Sequence, residues 1–123
     1  MKFDARGEVS LLFDFEMASD GVLAYDVAVC LCSWCHRGGL DWPRAQALVG
    51  GYGSVRPLGA AERAGLWAEA RLVCLRFLVT RIRDFHLRPV PLGDRVEKDF
   101  REFRERLREL RSLGAPGFAQ ALR

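Results

Sequence analysis

Long apolar runs are missing from this sequence: the longest, Val27 to Cys32, is far too short to cross a bilayer. The amino-terminal stretch also lacks the apolar region of a secretory leader, because Lys2, Asp4, Arg6 and Glu8 interrupt it. Both absences point to a cytoplasmic chain with no membrane partner. Strong charge of one sign is missing too. The formal net charge of +3 is too small by itself to argue for nucleic acid. A disulfide framework of the secreted kind is excluded, because Cys30, Cys32 and Cys35 crowd together and only Cys74 stands apart. There is no internal repeat and no second domain. What is present is a chain of 123 residues, half apolar and 28% charged, enough for one soluble domain with a modest core.

The cysteine cluster invites a metal or redox reading. In a helix, Cys32 and Cys35 share a face, His36 follows directly, and Cys74 offers a third thiolate. A second spaced Cys/His pair is absent, and so is a βαβ pattern around the Cys-x-x-Cys. Small thiols filling a core are the better account.

The chain is organised around Val9-Ser-Leu-Leu-Phe-Asp14-Phe-Glu16. Strand-forming residues run into a carboxylate, and an unpaired charge at the end of a buried strand costs several kcal/mol (about 3–5). No Lys or Arg lies within seven residues of Asp14 on either side. A metal, or a metal-bound ligand, is therefore favoured over a local salt bridge, with a distant Arg as the alternative.

Taken in order, residues 2–15 read as a β-hairpin, with Gly7 supplying the positive φ of its loop. Ser19-Asp20-Gly21 is turn chemistry. The periodicity then predicts helices over about 23–36, 43–53, 60–87 and 95–113. The first is apolar almost all round, which predicts a buried helix and leaves Asp26, near its start, needing a partner. Asp41 and Pro43 open the second. The third carries Leu66, Ala70, Val73, Phe77 and Phe85 as a stripe, with Arg76, Arg81 and Arg83 on or beside it. For Arg81, an ion pair with Asp26 or Asp84 and a substrate contact are both open. Arg88 to Gly93 reads as a loop, and Asp94 with Glu97 as a helix start. The fourth helix alternates acids and bases, with Glu97/Arg101 and Glu102/Arg106 at i,i+4, and reads as a solvated amphipathic helix rather than a nucleic-acid stripe. Gly114 and Pro116 are expected to stop it, leaving 114–123 as a loose tail.

Val9 to Ala18, Leu23-Ala-Tyr-Asp-Val-Ala28 and Cys32-Ser-Trp-Cys35 together resemble the aminoglycoside phosphotransferase and choline kinase superfamily. Within it they are most similar to homoserine kinase of the kinase-like type. The likeness continues through Ala45 to Tyr52, Val55-Arg-Pro-Leu58 and Leu75 to Arg81. It covers roughly residues 3–113. The resemblance implies an α+β, mostly helical fold: an amino-terminal β-hairpin followed by the helical C-lobe of a protein-kinase-like domain, here partial, over 1–113. It implies an ATP- and Mg²⁺-dependent phosphotransferase acting on the hydroxyl of L-homoserine, in threonine biosynthesis. Asp14 is then the metal ligand and Asp26 a structural brace of the catalytic loop. Glu16, Trp34 and Arg81 are candidates for the substrate pocket, although Trp34 suits a core equally well and Glu16 replaces the family's usual Tyr.

The family's catalytic loop, His-(Gly/Ala)-Asp-Leu and a following Asn, is not in this sequence, nor is the lobe that covers ATP. No catalytic residue is therefore assigned. Met1 falls just after the family's metal-binding Asn, where Val is common, so an internal start at a GTG codon is expected, and the chain reads as the carboxy-terminal part of a kinase. Two alternatives come from the same residues. One is a phosphotransferase of this superfamily acting on another small hydroxyl substrate. The other is a non-catalytic helical module that binds a partner through the hairpin edge.

Overall fold

The computed structural model describes residues 1–13, 15, 20–87 and 98–123. Two short strands, β1 (Lys2–Phe3) and β2 (Val9–Leu11), form an antiparallel hairpin in which Lys2 faces Leu11 and Phe3 faces Val9. Four helices follow: α1 (Leu23–Trp34), α2 (Trp42–Val55), α3 (Ala60–Ile82) and α4 (Arg101–Ala121). The last turn after α3, Arg83–Leu87, is π-helical, so the helical pattern over 60–87 is continuous but changes its winding. The expected loop Arg88 to Gly93 and the helix start at Asp94 and Glu97 lie outside the described residues.

The hairpin loop is built by Asp4 and Gly7. One Asp4 carboxylate oxygen accepts the backbone N–H groups of Arg6 and Glu8, each at 2.9 Å, and Gly7 takes φ 80°. These bonds, led by the Glu8 N–H, hold the Asp4 carboxyl below its usual range. The ladder stops at Leu11, short of the arm drawn to residue 15. Its strand residues are exposed, as are Leu12 and Phe13, which corrects the buried strand expected from the sequence. A two-stranded ribbon offers each side chain a single neighbouring strand, and burial needs a further layer.

α3 is the axis of the helical part. Its buried face, Leu66, Ala70, Val73 and Cys74, packs between α1 and α4. On one side, Cys32 of α1 donates to the Ala70 carbonyl at 3.4 Å, and Arg76 reaches the Tyr25 hydroxyl at 2.9 Å. On the other, Phe77 stacks on Phe103 at 4.9 Å and the Trp67 indole donates to the Leu110 carbonyl at 2.8 Å. The α3 start is fixed by Glu62, which accepts the Gly59 N–H at 2.8 Å and pairs with Arg56 at 2.8 Å. Asp41 caps α2 by accepting the Arg44 N–H at 3.1 Å, with Pro43 in the first turn.

Two expectations need correction. The first is α1: it buries Ala24, Val27, Ala28, Leu31 and Cys32, whereas Leu23, Asp26 and Trp34 are exposed. Among the described elements only the sides facing α3 and α2 find neighbours, so high apolarity does not become all-round burial. The second is the tail. Gly114 breaks α4 with φ 68° and ψ 168°, a region that only glycine enters at little cost. The chain then resumes a helix instead of fraying. Pro116 sits near the start of this new segment, where its missing N–H is no loss. Phe118 is buried, meeting the Trp42 ring edge-on at 6.0 Å, and the Gln46 amide donates to the Ala121 carbonyl at 2.9 Å. Residues 115–121 are thus an ordered clasp over α2.

Candidate functional site

Of the five site residues read from the sequence, Asp14 and Glu16 lie outside the described residues. The remaining three are placed by two elements, Asp26 and Trp34 by α1 and Arg81 by α3. Asp26 stands in the first turn of α1, exposed to solvent. Trp34 closes α1, eight residues later, which separates the two by about 12 Å along the helix. The structure does not bring Asp26 and Trp34 together, and Asp26 is not the buried carboxylate that the sequence suggested.

Trp34 is 48% exposed, so it is not a core aromatic. Together with Met1, Phe3, Ser33 and Arg44 it lines an open cleft of about 660 Å³ between the hairpin and the end of α1. Arg44 donates to the Trp34 carbonyl at 3.2 Å. The wall is aromatic with one cation, a surface suited to a small polar molecule with an anionic group.

Arg81 lies at the far end of α3. Its guanidinium pairs with Glu102 at 3.0 Å, donates to the Asp99 carbonyl and lies 4.5 Å from the centre of the Phe103 ring. Arg106 takes a matching position 4.5 Å from the same ring and is 3.7 Å from Glu102. These contacts tie α3 to α4. The charge partner of Arg81 is therefore Glu102, on an element the sequence reading did not connect with it.

A second polar pocket, of about 280 Å³, was not anticipated. His36, Gly38, Gly39, Glu102, Glu105, Arg106 and Glu109 line it. The turn that follows α1 brings His36 there: His36 and Leu40 form an isolated bridge, Gly38 adopts φ 74°, and the Asp41 N–H bonds the Cys35 carbonyl at 2.9 Å. Glu109 accepts the Leu40 N–H at 2.9 Å and stands 3.8 Å from the His36 Nδ1. Burial, with Arg106 nearby, lowers the His36 pKa from its ordinary value, against a weaker pull from Glu109. The only sequence signal was His36 beside the cysteines, which pointed to a different chemistry.

The cysteines fill the core. Cys32, Cys35 and Cys74 are buried, and Cys74 Sγ lies 3.6 Å from Cys32 Sγ. Contact with Cys74 and burial push the Cys32 thiol up and desolvation raises Cys30 and Cys35, away from the thiolate that redox or metal chemistry requires, while the same Cys32 contact lowers Cys74. Among the described residues, no group of three or more His, Cys, Asp or Glu is placed to hold a metal ion. The described residues do not by themselves build a magnesium site. Nor, among them, is any helix long and apolar enough to cross a membrane.

No family model matches the sequence. Individual relatives do. A homoserine kinase of Gluconacetobacter diazotrophicus is 44% identical over 109 residues, covering 86% of this chain and 33% of the relative. Homoserine kinases of Xanthobacter autotrophicus and Rhizobium etli are 44% and 40% identical, over 82% and 88% of the chain and 32% and 34% of their own lengths. The chain spans about a third of the length of these relatives, and over more than four-fifths of its own length it is similar to homoserine kinase.

Proposed function

We propose that this chain supplies part of a homoserine kinase, transferring a phosphoryl group from ATP to the side-chain hydroxyl of L-homoserine in threonine biosynthesis. The observation that carries the reading is identity of 40–44% to homoserine kinases over most of the chain. The helical body with its amino-terminal hairpin is then the C-lobe of a kinase-like fold of the aminoglycoside phosphotransferase type, working in the cytoplasm.

Within that reading the roles follow the sequence motifs. Asp14 is the carboxylate for Mg²⁺, which neutralises charge on the ATP phosphates when bound. Asp26 serves the site through the elements it abuts in the complete enzyme. Its exposure in this chain suits a residue whose partner is supplied from outside the described residues. Trp34 and Arg44 offer a rim for a zwitterionic substrate, and Glu16 is the further acceptor-pocket candidate that the sequence motif supplies. Arg81 acts through structure: its guanidinium is spent on Glu102, the Asp99 carbonyl and Phe103.

The experiment is a coupled assay of homoserine-dependent ADP release. It compares the isolated chain with a fusion in which this chain replaces the matched third of the Gluconacetobacter diazotrophicus relative. The isolated chain is expected to be inactive and the fusion active, with choline or an aminoglycoside failing to replace homoserine. An inactive, folded fusion, or one that prefers another hydroxyl substrate, overturns the reading. In the fusion, Asp14→Asn should lower turnover on the order of a thousandfold while leaving the melting temperature nearly unchanged. Early melting with near-normal turnover would make Asp14 structural.

A further inference from the structure

α3 is apolar on two opposite faces. One, Leu66, Ala70, Val73 and Cys74, is buried between α1 and α4. At about 100° per residue, Ala68, Leu72, Leu75 and Val79 fall on the reverse side, and all four are exposed. Leu72 is 52% exposed, Leu75 49% and Val79 52%. Their spacing of four, three and four residues makes an unbroken stripe about 16 Å long. A surface helix shows one apolar stripe, and a helix with two belongs in the middle of a layered core. Elsewhere on the molecule, Phe3, Val9 and Leu11 of the hairpin and Leu23 of α1 are exposed as well.

The relatives supply a candidate for the missing layer. Each is about three times as long as the stretch it shares with this chain. We infer that the outer face of α3 is a docking surface for the part of a homoserine kinase chain that lies outside the matched third, whether joined covalently or provided as a separate polypeptide. This rests on the homoserine kinase reading. Self-association through the stripe would cover α3 alone and leave the hairpin and the start of α1 bare, so a second copy fits less well than a larger partner.

The test is to co-express this chain with the Gluconacetobacter diazotrophicus relative from which the matched residues are deleted, and to weigh the product by size-exclusion chromatography with light scattering. A one-to-one complex is expected. It should dissociate at least about tenfold more readily when Leu72→Glu and Leu75→Glu are introduced together, and be unaffected by Arg108→Glu, on the exposed side of α4. Failure of the two chains to associate, or association indifferent to the double substitution, overturns the inference. So does a homodimer of this chain that the same substitutions dissolve. Circular dichroism of the double variant alone, which should keep its helical signal because both side chains are exposed, separates lost docking from lost folding. Activity separates the two proposals. A complex that depends on Leu72 and Leu75 but releases no ADP with homoserine leaves the surface standing and removes the kinase reading. An active fusion whose ADP release and melting ignore both substitutions does the reverse.

Discussion

Protonating His36 places a charge in a side chain that is only 6% exposed and lies near Arg106. The folded chain therefore resists protonation until below the ordinary imidazole value of about 6.5, while the unfolded chain does not. Between the lowered folded pKa and that value, the unfolded state binds more protons, so stability falls as pH drops. The expected outcome is a melting temperature that declines from pH 7 toward pH 5, with a shallower decline in His36→Gln. Equal slopes in the two proteins would remove His36 from this role. Asp26 makes a contrasting case. Because it is exposed, Asp26→Asn in this chain should change stability by no more than about 0.5 kcal/mol, as read by urea unfolding. The sequence could not tell these two apart. Asp26 lies in an apolar stretch that reads as buried, whereas the pocket around His36 is closed by Glu102, Arg106 and Glu109, far along the chain, with no local pattern to link them.

The elements were more legible than their ends and environments. Helical periodicity located all four helices because in each the residues that pack recur at three- and four-residue steps, and Asp41 with Pro43 marked a start by a local mechanism that needs no tertiary context. Gly114 and Pro116 were misread as a stop. The same two residues also describe a break followed by a restart, and only Phe118, inserted beside Trp42, decides between them. Two measurements follow at this scale. Phe118→Ala should cost about 3–5 kcal/mol if the terminal segment is a packed element, and close to nothing if it is a loose tail. Gly114→Ala should cost about 1–3 kcal/mol, because alanine must adopt a backbone conformation that is essentially glycine's own. Denaturant unfolding of both variants checks these values.

For the whole molecule, the mostly helical body and small antiparallel hairpin followed from the sequence, because the switch from strand formers to three- and four-residue steps is sharp at Ser19-Asp20-Gly21. The groups proposed for metal and substrate did not become visible in the same way. Asp14 and Glu16 lie outside the described residues, Asp26 and Trp34 stand at opposite ends of α1, and Arg81 is tied to α4 from the end of α3. On the proposed reading, a site to which this chain contributes about a third of the polypeptide has no reason to be closed within that third. The isolated chain should therefore give no homoserine-dependent ADP release even at high protein concentration, and a measurable rate would contradict the division of labour proposed above.

The clasp formed by residues 115–121 also bears on how the molecule opens. α2 fully buries only Ala45 and Val49, and beside its packing against α1 it is held by Trp42 against Phe118 and by Gln46 bonding the Ala121 carbonyl. Local opening follows the weakest set of shared contacts, so α2 and the carboxy-terminal turn form one cooperative unit that unlatches before the layer of α1, α3 and α4. Amide hydrogen exchange should show this directly: protons of α2 and of residues 118–121 exchange at one common rate, faster than those of Leu66 to Phe77, and Phe118→Ala accelerates α2 without touching the centre of α3.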